Sequence, residues 1–170
     1  MLPRGSSGTP SPFETYADAQ AAAERIIPFK TRIDQLAALG FDAREGRNVT
    51  VIPYPDIVAR LAPYPGVPLD QLDAGVRACV AARSDCRGYA FRFEREERRR
   101  EGSFISDFLN IRRVTRVTGW RFEALLVVSD GTVLFRNVAG NAHLERVDRN
   151  TNPLGPLQPA GEAAGALLLH

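Results

Sequence analysis

The sequence has only one lysine (Lys30), one methionine, one tryptophan and two histidines among its 170 residues. It also lacks an excess of charge of either sign: 22 basic and 20 acidic groups leave a formal net charge of +2. A nucleic-acid backbone or an anionic membrane attracts uncompensated positive charge, so this balance gives no reason to expect either as a partner. No apolar run approaches the roughly 20 residues of a membrane-spanning helix, and no secretory h-region is visible.

Catalytic and cofactor signatures are missing as well. No serine sits in a G-x-S-x-G elbow, and no glycine-rich loop is shaped for phosphate. His143 is the only internal histidine, and no motif sets an acid, base or metal-ligating partner around it. It is expected on the surface, after the last strand. Asp148 to Asn152 resembles the start of a calcium loop, but Pro153 stands where glycine is required and Pro159 where a bidentate glutamate belongs. The chain therefore reads as a non-enzyme with no cofactor and no metal.

What is present is ordinary for one globular domain. The hydrophobic share is 44%, and a chain of this length can bury a core. The excess of arginine over lysine, together with much alanine, suits a GC-rich bacterial genome. Residues 1–10 are small, polar and proline-containing, and are expected to be a linker or an expression remnant. Residues 11–150 are expected to form a single domain. Residues 151–170 carry proline and glycine without periodicity and are expected to be a tail.

Helix signals fill the first half. Ser11-Pro12-Phe13-Glu14 has the form of a capping box with proline at the first helical position, predicting a helix to Pro28. Thr31 with Asp34 predicts a second short helix closed by Gly40, with Phe41 folding back on its apolar stripe. Asn48 to Ile52 is β-branched and reads as a strand or an extended connection. Pro55 and Pro68 start two further helices, the first stopped by Pro63 and the second burying Leu69, Leu72, Val76, Cys79 and Val80.

Beyond Cys86 the period changes from 3.6 to 2. Tyr89, Phe91 and Phe93 alternate with smaller or charged residues, as in a half-buried strand. Phe104 to Ile111 fits either strand or helix. Val114 to Val128 is a long strand broken at Gly119. Asp130-Gly131 predicts a tight hairpin turn pairing Val128 with Val133 and Leu126 with Phe135. The expected fold is α+β, with N-terminal helices packed on one face of a three- to four-stranded antiparallel meander.

Four features carry the functional reading. Cys79 and Cys86 could form a disulfide between the last helix and the first long strand, or pack as two buried thiols; their spacing fits neither zinc nor a CxxC redox motif. Glu94 to Glu101 holds four acids and four bases, and reads as a solvated hairpin tip or as a surface that docks a charged protein. Arg112, Arg113, Arg116 and Arg121 cluster near Trp120 and Phe122; the aromatic side is core or the whole strand face is adhesive. Arg116, Trp120, Arg121, Glu123 and Leu125 are the candidate interaction residues, because aromatics and arginine dominate protein interfaces.

Lys30-Thr31-Arg32-Ile33-Asp34-Gln35-Leu36-Ala37-Ala38-Leu39-Gly40 is similar to a short motif in the small lipoproteins of the outer-membrane β-barrel assembly machinery. That resemblance implies a threonine-capped helix, a second helix and a three-stranded antiparallel sheet, a plan that periplasmic β-lactamase inhibitors share. The element order matches over residues 30–140. The chain departs from the family in having no lipid-bearing cysteine at its start and in inserting a helix from Pro68 to Arg83. It is expected to be an envelope protein of related architecture, periplasmic and outer-membrane associated, with a protein partner. Any membrane association would run through a lipid on a residue outside this sequence. The alternatives are a module binding a small molecule or envelope polymer through Tyr89, Trp120 and Phe122, and a cytosolic regulator using the arginine cluster.

Overall fold

The computed structural model describes residues 5–7, 11–44, 46–62, 65–101 and 112–151. Helices come first and a long antiparallel meander follows, the expected α+β order. Strand β1 (Gly5–Ser7) precedes helix α1 (Tyr16–Glu24) and two 3-10 turns, Ile33–Gln35 and Ala37–Leu39. Strand β2 (Val49–Ile52), helix α2 (Tyr54–Leu61) and helix α3 (Ala74–Ala82) lead into β3 (Cys86–Glu101), β4 (Arg112–Ser129) and β5 (Thr132–Thr151). The strand order is β1-β3-β4-β5, with β2 also pairing antiparallel with β3. Gly5–Ser7, inside the stretch expected to be a linker, pair with Arg98, Glu97 and Glu96 of β3. Thr151, the first residue of the expected tail, is the last residue of β5; Phe104 to Ile111, Pro63 and residues 152–170 lie outside the described residues.

The chain divides into two compact units. Among the described residues one unit, bounded by Gly8–Arg95 and Trp120–His143, holds every helix; the other is bounded by Met1–Ser7, Glu96–Gly119 and Leu144–His170. Each of β3, β4 and β5 contributes a segment to each unit.

In the helical unit, β4 is apolar on both faces. Phe122, Ala124, Leu126 and Val128 point into one core, with Phe91, Phe93 and Val133 from the neighbouring strands and Ala19, Ala23, Ile26, Leu36 and Phe41 from the helical segments. Phe13 meets Phe93 edge-on at 4.9 Å between ring centroids, and Phe41 meets Phe91 edge-on at 5.3 Å, geometries that suit the ring quadrupole. Leu125 and Val127 point the other way, into a second cluster built from Ile52, Ile57, Cys79, Cys86 and Leu134. So the helices divide. α1 and the 3-10 turns cover one face, while α2 and α3 cover the opposite one, where a single covering layer was expected. The alternating apolar residues of β4 explain this, since each face would expose aliphatic surface without its own cover.

Helix starts differ from the sequence reading where two capping patterns compete. The box that forms is Thr15 with Asp18: the Asp18 amide donates to the Thr15 hydroxyl at 3.1 Å and the Thr15 amide to Asp18 at 3.0 Å. Ser11 instead accepts from the Phe13 amide, and Phe13 enters the core before the helix begins. Thr31 does not cap. Its hydroxyl accepts from the Ile27 amide at 2.8 Å and its carbonyl from Val133 at 2.9 Å, so Gln35 closes the next turn on the Arg32 amide. The helix expected from Pro68 breaks into a 3-10 turn, Leu69–Gln71, and α3, which Asp73 caps by accepting from the Gly75 amide at 2.7 Å. At the other end of α1, the Arg136 guanidinium donates to the carbonyls of Ala23 (2.7 Å) and Ile26 (3.1 Å). A cation from β5 thereby satisfies carbonyls at and just beyond the negative end of α1.

The Asp130-Gly131 turn forms as expected, with φ of 49° and 69° at its two centres. Beyond it, Val133 faces the first core, Leu134 and Phe135 both face the second cluster, and Arg136 returns to α1. Two consecutive residues on one face mark a β-bulge. Leu126 and Phe135 therefore lie on opposite faces and do not pair as the turn alone suggested. The close approach of Gly140 to the Phe122 Cα, 3.0 Å from an ideal Cβ, fits the same one-residue shift.

Gly131→Val should cost on the order of 1–2 kcal/mol, because a β-branched residue is strained at positive φ. Chemical denaturation should show a lower midpoint with an unchanged slope. Gly75→Ala tests packing instead: its Cβ would fall 1.9 Å from the Leu134 carbonyl oxygen. It should destabilise the protein although alanine favours helix, and an unchanged melting temperature would contradict this close approach.

Candidate functional site

Cys79, in the last full turn of α3, and Cys86, the first residue of β3, are joined by a disulfide with S–S 2.03 Å and Cα–Cα 5.3 Å. Both are almost fully buried, at 1% and 0% exposure. The bridge sits inside the second cluster, beside Ile57 and Val127. It therefore ties the outer helical layer to the sheet it covers.

Next to that cluster lies an open groove of about 370 Å³ on the same side of the sheet. Thr50 of β2, Arg60 of α2, Arg92 of β3, Glu123 and Leu125 of β4 and Asn137 of β5 line it. Its floor is half-buried and apolar, and its walls are charged or amide-bearing. Arg92 lies 3.7 Å from Glu123 and 3.6 Å from Glu94, and Glu94 lies 3.3 Å from Arg121. Opposite charges thus alternate across β3 and β4. Exposed pairs of this kind contribute at most about 1 kcal/mol each to stability, so their main effect is to order the rim.

The five candidate interaction residues separate. Arg121, Glu123 and Leu125 share one face of β4; Glu123 and Leu125 reach the groove, and Arg121 joins the charge ladder beside it. Trp120 leaves the candidate surface. It is 7% exposed, and its indole N–H donates to the Glu14 carbonyl at 3.1 Å. Phe122 is fully buried with it, and Tyr89 packs against the same core. The aromatic side of β4 is therefore core, and on the opposite side Arg121 and Glu123 are half-exposed while Val127 is buried in the second cluster. Arg116 lies in the other unit, where its guanidinium is 3.0 Å from both Glu101 and Glu145.

The Glu94–Glu101 run lies inside β3 and forms no hairpin tip. Four of its eight charges form ion pairs within the sheet: Glu94 with Arg121, Glu101 with Arg116 and, along the strand, Arg98 with Glu96. His143, expected beyond the last strand, is an exposed residue within β5. Among the described residues no cluster of three metal-ligating side chains is present, and no helix is long and apolar enough to cross a membrane. Arg60, Arg92 and Asn137 were missed in the sequence. Arg92 alternates with Phe91 and Phe93 and so had a readable face, but nothing local announces that α2 brings Arg60 to it.

No protein-family model, curated protein or solved structure matches this chain.

Replacing both cysteines, Cys79→Ala with Cys86→Ala, should lower stability by about 2–3 kcal/mol, the chain-entropy value for so short a loop. Urea denaturation checks it. Alkylation of protein isolated without reductant should leave both sulfurs unlabelled by mass spectrometry, and two labelled thiols would contradict the bridge.

Proposed function

We propose that this protein is a non-catalytic interaction module of a bacterial envelope, and that it binds a protein segment in the groove beside Leu125. The groove carries this reading: an apolar floor flanked by Arg60, Arg92, Glu123 and Asn137 suits a polypeptide with an apolar anchor and mixed charge. The disulfide supports an oxidising compartment, because such bridges persist in the periplasm and are rare in cytosol. The resemblance of Lys30 to Gly40 to outer-membrane assembly lipoproteins points to the same compartment, with the outer membrane as the place of work. The polymer-binding alternative loses its aromatics to the core. The arginine-cluster alternative is weakened because Arg116 is paired with Glu101 and Glu145, and Arg121 with Glu94.

A photoreactive residue in place of Leu125 or Asn137 should crosslink to a discrete protein in cells, whereas one at Gln20, on the solvent side of α1, should not. Crosslinks from Gln20 alone, or from none of the three, would move function away from the groove. The arginine reading has its own check. Binding to a random duplex at physiological salt should be undetectable at micromolar protein, and sub-micromolar affinity with a steep salt slope would overturn the envelope assignment.

A further inference from the structure

The strongest observation outside the groove is the outer edge of β5. The strand closes one end of the sheet. Near its start, Val133 spends its outward amide and carbonyl on Thr31 and Phe29. From Leu144 to Thr151, among the described residues, no backbone group bonds to a neighbour outside the sheet. An edge of this length is a template for another strand.

Charged side chains ordinarily guard such an edge, and here their order matters more than their number. Glu145 and Arg146 precede Val147; Asp148 and Arg149 follow it. The signs run minus, plus, valine, minus, plus. Laid antiparallel against its own copy about Val147, the run sets Glu145 opposite Arg149 and Arg146 opposite Asp148. All four charged positions then meet the opposite sign. Val147, 41% exposed, meets Val147. Strand alternation keeps these partners on matching faces: Glu145, Val147 and Arg149 on one, Arg146 and Asp148 on the other. The contact of Arg146 with Asp148 at 3.0 Å along the strand fits that alternation.

Neighbouring registers fail. Centring the pair one residue earlier puts Arg146 against Arg146, and one residue later puts Asp148 against Asp148. Like charges directly opposite are destabilising. Arg149 adds a second indication, since it makes no ion pair among the described residues, although Glu145 already holds Arg116 at 3.0 Å. A second copy would supply the missing carboxylate.

The geometry points to a two-fold homodimer in which the Leu144–Thr151 edges of two copies pair antiparallel, centred on Val147, continuing the sheet from one molecule into the next. The partner is a second copy of this chain. The inference rests on β5 alone and is independent of the groove. A short strand pair with exposed charges makes a weak and salt-sensitive contact.

The test uses the full chain in sedimentation equilibrium at low salt. The wild type should associate reversibly, and less so as salt rises. Glu145→Arg and Arg149→Glu should each abolish the dimer, while mixing the two variants should restore association as a heterodimer, because both cross-pairs again join opposite signs. Arg149→Glu breaks no described contact, so its loss of association cannot be ascribed to misfolding. Register is read by cysteine. Opposed Cα atoms lie about 4.5–5.5 Å apart, within disulfide range. Val147→Cys should crosslink to itself under mild oxidation. Leu144→Cys should do so only when mixed with Asn150→Cys. A wild type that stays monomeric at sub-millimolar concentration would overturn the proposal, as would charge variants that associate like wild type. Equal self-crosslinking at positions 144 and 147, or in-cell crosslinks from Val147 to a different protein with none to itself, would overturn it too.

Discussion

The requirement that β4 be covered twice governs the helical unit. Phe122, Ala124, Leu126 and Val128 alternate with Leu125 and Val127, so neither face can be left to water without exposing aliphatic surface. α1 with the 3-10 turns satisfies one face and α2 with α3 the other. The first layer is held by ring contacts and by the Arg136 guanidinium at the end of α1. The second layer closes a smaller cluster, and the buried Cys79–Cys86 bridge secures it. The groove lies where that cover stops: Val127 and Leu134 are buried in the second cluster, and Leu125 stays half-buried in a groove that Arg60 also lines.

Much of this was legible because local signals agreed with the final packing. Phe91 and Phe93 alternate, and they are buried on one face. Asp130-Gly131 has the residues that a turn with two positive φ values demands. Gly40 takes the left-handed conformation at φ 93°, and Phe41 turns back into the core. In each case the residue type allows few alternatives, so tertiary context had nothing to override.

The misreadings share a different cause. Ser11 and Thr15 both offer a capping box, and only the burial of Phe13 decides between them. Thr31 is a good cap by type, but the sheet and the Ile27 amide claim its polar groups. Leu125 and Val127 were apolar in the sequence, yet nothing local says that two helices will cover them. Arg60, Arg92 and Asn137 come from three different elements, so their convergence exists only in the folded chain. The same holds for Arg116, whose two carboxylates lie on other strands.

The bulge at Leu134 and Phe135 has a consequence for how this chain can vary. One extra residue reverses the parity of everything after it in β5, so the inward and outward sets are counted from that point. Losing a single residue there would turn Arg136 away from α1 and exchange which of Asn137 and Val138 faces the groove. Replacement of a side chain in β5 is a local event, whereas a one-codon deletion re-addresses the strand that follows. A substitution in this segment therefore acts at its own position, as at Arg136 or Gly140, while a change in its length acts on every position that follows.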